Sequence, residues 1–220
     1  YMNIGKIINA VEEAGFSITN LKMAKLGKQE AERVLEGHRG KPYFNDLTNH
    51  VSSDLVVALE VLADNCISKI GSFVSSVRGQ YGSDQIKAGV YGSESTANAA
   101  KELEFFFSSK SPLQTPAYFT NCSCLVIKPH LITENYVGQV FDAVLSSGFE
   151  VSAAEMFWLD RPSAEVLLIT MQEFLEVYKG VVPEYNQIVE EFTNGPCIAL
   201  EVRQENVVPA LRELCGPHDP

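Results

Sequence analysis

Apolar positions along this chain follow two rhythms. From Ile4 to Ala14 they keep to one side of a helical period, which predicts an amphipathic helix; from Phe16 to Leu26 the pattern becomes that of a strand, entered through a Gly-Phe turn. Two short helices (Lys28 to Leu35 and Tyr43 to His50), a buried strand (Val56 to Leu62) and a further helix are expected next. Beyond them, Ala97, Ala100, Leu103 and Phe107 stand at helical spacing behind serine caps. The early order then recurs. GKIINAVEEAGFSITNLKMAKL, Gly5 to Leu26, aligns without gaps with GQVFDAVLSSGFEVSAAEMFWL, Gly138 to Leu159, and VVALEVLADN, Val56 to Asn65, aligns with CIALEVRQEN, Cys197 to Asn206. Two copies of one unit are present.

Each copy supplies what the other lacks. A strand, CLVIK at Cys124 to Lys128, precedes the helix of the second copy, while the first continues through GVYGSES to a helix ending at Phe107. Together they predict strand, helix, strand, helices, strand, helix, strand: an α/β (α+β) fold of two tandem split βαβ units of ferredoxin-like type, with helices on one side of the sheet. The Ser- and Pro-rich run Ser108 to Phe119 reads as linker. The expected division is a first unit at 1–110 without its first strand, a linker at 111–120, and a second unit at 121–220 without its C-terminal part. The sequence is expected to be part of a longer protein.

Composition narrows the partners. A chain of 220 residues, 45% hydrophobic and 20% charged, can bury a real core. Its net charge of -11 argues against a general nucleic-acid surface, which needs clustered Lys and Arg. With no long apolar span, no membrane partner is expected. Cys66, Cys122, Cys124, Cys197 and Cys215 lack a framework spacing and read as reduced thiols of a cytosolic protein. Cys122 and Cys124 face the same way on a strand and are expected to be buried small side chains. No HxxxH, HExxH or DxD pattern occurs, so no protein-built metal site is expected, and any Mg²⁺ would arrive on a nucleotide.

The segment with the most chemical content is GVYGSES. Gly89 and Gly92 mark a tight turn ahead of a helix, so Tyr91 is expected near a helix N-terminus, a place that suits anions. The alternative is an aromatic plug over the turn. His38 and His50 are expected on the surface, and His130 is expected to shape a turn. The run Phe105 to Phe107 reads either as an exposed patch or as the core end of its helix.

VIKPH (Val126 to His130), the helix-Gly-Phe-strand block and the GxxYGSES block together resemble the nucleoside diphosphate kinases over nearly the whole chain. The tandem arrangement, FTNCSCLVIKPH from Phe119 and EVYKGVV from Glu176 are most similar to that family's seventh, ciliary and centrosomal type, whose members join a DM10 domain to two kinase-like domains. The resemblance implies ping-pong phosphoryl transfer through a histidine followed by Gly-Ser-Asp-Ser. Here Tyr91 occupies that seat, followed by Gly92, Ser93, Glu94 and Ser95. A phenol with a pKa of about 10 is protonated near neutrality, whereas imidazole, at about 6.5, is mostly free to attack. The resemblance gives Arg78 as the phosphate arginine and Phe44 as the base platform, with Lys41 in place of an arginine, Leu35 of a tyrosine and Ala88 of an asparagine. It also puts a longer phosphate loop where this sequence has the short run Ile70 to Ser75, so that the loop is either deleted in this protein or left out of this sequence. In the second unit it gives Lys128 as the phosphate lysine and Arg212 at the start of the nucleotide loop, with Tyr185 the nearest platform, Leu175 replacing a tyrosine and His218 a threonine.

The implied functions are three. First comes a catalytically degenerate scaffold of the ciliary axoneme, a microtubule inner protein of doublet microtubules, with tubulin and other axonemal proteins or the γ-tubulin ring complex as partners, in cytoplasm, cytoskeleton and cilium. Second is a nucleoside diphosphate kinase whose activity resides in its second unit or in a partner. Third is a regulator that binds a Mg-nucleotide, ATP/ADP or GTP/GDP, without turnover. The two fused units are expected to pair with each other.

Overall fold

The computed structural model describes residues 2–84, 86–171 and 183–216. Helices α1 (Ile4–Glu13) and α7 (Val137–Ser146) occupy equivalent places in the repeat and bury equivalent faces. On α1 the buried positions are Gly5, Ile8, Val11 and Glu12; on α7 they are Val137, Gly138, Phe141, Val144 and Leu145. Both helices end the same way. Gly15 and Gly148 take φ of 78° and 83°, and the next residues, Phe16 and Phe149, return their N–H groups to Val11 and Val144 at 3.3 Å. The turn delivers each phenylalanine into the core, where it is almost wholly buried.

Strands β1 (Ser17–Lys25), β2 (Leu55–Leu62), β3 (Ser123–Ile127), β4 (Glu150–Trp158) and β5 (Pro196–Arg203) form one antiparallel sheet in the order β2-β1-β4-β5-β3 among the described residues. The repeat reaches down to its irregularities. Register shifts between Ile18 and Asn20 in β1, and at the equivalent Val151 and Ala153 in β4. At each bulge the hydroxyl of Thr19 or Ser152 lies 3.3 Å from the carbonyl of the equivalent glutamate, Glu60 or Glu201, and Ser152 donates to the Glu201 carboxylate at 2.6 Å.

Around the sheet lie α2 (Lys28–Val34), a 3₁₀ turn (Glu36–His38), α3 (Phe44–Val51), α4 (Cys66–Tyr81), α5 (Thr96–Phe107), α6 (Pro129–Thr133), α8 (Arg161–Met171), α9 (Pro183–Thr193) and α10 (Val207–Cys215). The units share one core. Ile8, Phe16, Leu21 and Met23 from the first cluster with Phe141, Val144, Met156 and Leu200 from the second, each almost fully enclosed. Burial of such side chains contributes about 1.5–3 kcal/mol apiece. Helix α1 lies directly on α7, and a Cβ placed on Gly5 would meet the Asp142 backbone nitrogen at 2.3 Å, one on Gly138 that of Asn9 at 2.1 Å. Only a residue without a side chain permits that approach. Glu12 reaches across the same contact and accepts from the N–H groups of Val137 and Gly138 at 2.9 and 2.8 Å, capping α7. Burial pushes its pKa up while those two hydrogen bonds pull it down, the burial being the larger cause.

Four expectations need correction. β2 is half-buried along most of its length rather than buried, because among the described residues its outer edge carries no strand, while β5 is enclosed between β4 and β3. The final strand expected of the unit is absent from the first copy among the described residues, where α4 is followed directly by a segment leading to α5. Ile70 to Ser75 are not a loop remnant: α4 runs through them without a break. Cys124 is exposed and Cys122 half-buried, since β3 is the sheet's other edge. The linker is also less free than its composition indicates, for Leu113 is buried beside Phe105. Phe105 to Phe107 are the core end of α5, with Phe105 buried and the other two half-buried.

Candidate functional site

Tyr91 lies on the segment between α4 and α5. Gly92 passes close under α4, where a Cβ would meet Val74 Cγ2 at 2.9 Å and Ile70 Cγ1 at 3.1 Å. Arg78, on the last turns of α4, fixes the same segment by donating Nε–H to the Val90 carbonyl at 3.2 Å. Ser95 then starts α5, accepting from the Asn98 N–H at 3.1 Å. This placement turns the Tyr91 hydroxyl toward α5. Its Oη donates to Glu102 Oε1 at 2.9 Å, and the Ser93 hydroxyl donates to Glu102 Oε2.

That pairing has an electrostatic consequence. Burial pushes the Tyr91 phenol well above its usual range, and the hydrogen bond to Glu102 and the charges of Glu102 and Glu94 push it the same way. The expected anion-friendly seat is therefore held by a carboxylate. A phosphate there would meet Glu102 and Glu94.

On the other side of the ring stands His38, from the 3₁₀ turn, with ring centroids 6.1 Å apart at 69°. Its Nδ1 is 3.2 Å from Lys41 Nζ, and Tyr43 lies 6.2 Å away on the same imidazole. Desolvation first, and the nearby Lys41 second, hold its pKa below the ordinary value. His38 is thus half-buried within the site rather than on an open surface, as its polar sequence context had predicted.

The structure brings together Tyr91, Arg78 and Lys41 of the expected set, and adds His38, Glu94 and Glu102. Phe44 begins α3 and is half-buried just beyond Tyr43. Leu35 is a core residue. Glu102 escaped the sequence reading because it lies in the second turn of the following helix, where no local motif marks it. His38 escaped because a histidine in a polar turn carries no spacing signal.

The second unit is arranged differently. Lys128 Nζ pairs with Glu191 Oε2 at 3.1 Å and sits 5.5 Å from the Phe192 ring, while His130 Nδ1 faces Glu191 Oε1 at 2.8 Å. The carboxylate of α9 thus takes up the cation assigned to phosphate. Tyr185 is not an open platform: it is buried with Ala164, Leu168, Val189, Phe192 and Cys197. Arg212 is exposed in the last turn of α10. Leu175 and His218 lie outside the described residues. Among the described residues no group of three His, Cys, Asp or Glu could hold a metal ion, and no helix is long and apolar enough to cross a membrane.

A nucleotide's phosphates fit this first site in part. Lys41 and Arg78 offer cations, but each already has a partner and two carboxylates flank the tyrosine. The residues do not fit a Mg-nucleotide held for transfer to position 91.

Comparison with known proteins gives two matches to the family model described as nucleoside diphosphate kinase, over residues 2–111 and 121–220. Nucleoside diphosphate kinase homolog 7 of Rattus norvegicus is 40% identical over 232 residues, covering 98% of this chain and 57% of the relative. The Mus musculus protein of the same name is 39% identical over the same shares. The chain thus spans little more than half the length of these relatives. A solved nucleoside diphosphate kinase from Aquifex aeolicus is 28% identical, covers 49% of this chain and 85% of its own, and has a TM-score of 0.44.

Proposed function

The chain belongs to the nucleoside diphosphate kinase family, with two family domains in tandem, and from that premise we propose that it is a structural protein whose first domain no longer transfers phosphate. One observation carries this reading: the side chain at the position the resemblance gives to the nucleophile is a phenol that is made less acidic by partial burial first and by its hydrogen bond to Glu102 second. An attacking group needs the opposite surroundings, a base that removes the proton or cations that stabilise the anion.

The domain then serves by its shape. On the resemblance of its sequence to the family's seventh type, we assign it to the cytoskeleton of cilia, as a microtubule inner protein of doublet microtubules, with tubulin and other axonemal proteins, or the γ-tubulin ring complex, as partners. With a net charge of -11 the chain would meet acidic tubulin through local contacts and not by overall attraction.

A second reading rests on Arg78, beside Tyr91, and Lys41, beside His38, which could hold a diphosphate without turnover. Incubation of the protein with γ-labelled ATP separates the alternatives. The proposal expects no acid-labile label on the first domain, and rapid GDP-to-GTP conversion by that domain overturns it. Calorimetry with Mg-ADP, repeated on Arg78→Ala, reports on the regulator.

A further inference from the structure

The contact between the two units places equivalent positions of the repeat opposite each other. Lys22 of β1 pairs with Glu155 of β4, its own counterpart in the repeat, and Lys22 Nζ lies 3.6 Å from Glu155 Oε1. Gly5 faces the helix carrying Gly138, and Gly138 the helix carrying Gly5. The local symmetry is two-fold, so a residue on the axis meets whatever the other unit carries at that position. Two identical units can only set like against like there. Two unlike units can set lysine against glutamate.

Asymmetry extends along the helices. Glu12 caps α7, whereas its counterpart Leu145 is an apolar core residue. In a pairing of two second units, Glu155 would face Glu155, and the Val137 and Gly138 N–H groups of both copies would face leucine instead of an acceptor. In a pairing of two first units, Lys22 would face Lys22 and two Glu12 carboxylates would be buried, where burial already disfavours the charge of one.

We propose that this surface is a heterotypic interface: the first unit fits the second unit of its own chain and rejects a like unit from another copy. A gene duplication followed by charge divergence at one axial position would leave this arrangement. The chain closes on itself at this face and has no need of a second copy there.

The test uses the unmodified protein. A carbodiimide, which condenses an amine with a carboxylate and adds no atoms, is expected to join Lys22 to Glu155 within a species of single-chain mass, identified by peptide mass spectrometry. A short amine-to-amine reagent is expected to give no link between two Lys22 side chains. A Lys22–Lys22 link, or a Lys22–Glu155 link confined to a two-chain species, overturns the proposal. A charge cycle reads the same contact without reagent access. K22E and E155K should each lower the folding constant about two- to fivefold, and K22E/E155K should regain most of the loss. Purely additive losses overturn it.

Discussion

The Tyr91 hydroxyl and the Glu102 carboxylate are joined by a 2.9 Å hydrogen bond that spans from the glycine-rich segment to the second turn of α5. The bond holds the segment to the helix. Tyr91→Phe should cost about 0.5–1.5 kcal/mol of stability, read by urea unfolding, because Glu102 keeps Ser93 as a donor. Phosphate transfer by the first domain should be unchanged in that variant.

Tyr91→His should not create a useful kinase by itself. The imidazole would enter a site flanked by Glu94 and Glu102, with α4 running unbroken through the positions that resemblance assigns to a phosphate loop. GDP-to-GTP conversion by the purified variant checks this, and brisk turnover would show that one residue is the whole lesion.

The α1–α7 contact should be intolerant of one methyl group. Gly5→Ala or Gly138→Ala drives a Cβ into the facing backbone at 2.3 or 2.1 Å, so each should destabilise by several kcal/mol or separate the helices. Gly71, within α4 and with open space around it, is the control, and Gly71→Ala should gain about 0.5–1 kcal/mol through helix propensity. Thermal unfolding of the three variants compares them directly.

Glu191 should be an internal competitor for Lys128. Glu191→Ala releases the lysine and His130, and binding of ADP at Lys128 should tighten severalfold, read by calorimetry against Lys128→Ala. The stability change should stay within about 1 kcal/mol, since the ion pair is partly exposed.

His38 should give stability a pH dependence of known sign. Its folded pKa is lowered, so the unfolded chain binds a proton more readily in the window between the depressed value and about 6.5. Stability is therefore full above that window and falls as the pH drops through it. Urea midpoints measured from pH 7.5 to pH 5 should show a shallower slope in His38→Gln than in the parent.

Much of the fold was legible because the repeat writes its elements twice. α1 and β1 end within two residues of the expected positions, and the Gly-Phe turn is present in both copies. What escaped is tertiary. The half-burial of β2 depends on which strand lies beside it, and the exposure of Cys124 on where the sheet ends, neither of which is written in local periodicity. At the site, Tyr91, Arg78 and Lys41 came from motif positions. The carboxylate that accepts from the phenol sits in the next helix, and the imidazole beside the ring comes from a turn more than fifty residues earlier.

The glycine-to-backbone contact between α1 and α7 makes the covalent tether between the units dispensable once folding is complete. A protease nick at the exposed Gln114–Thr115 bond would leave two fragments still gripping each other through that seam. They would elute from a sizing column as a single particle and come apart only in denaturant.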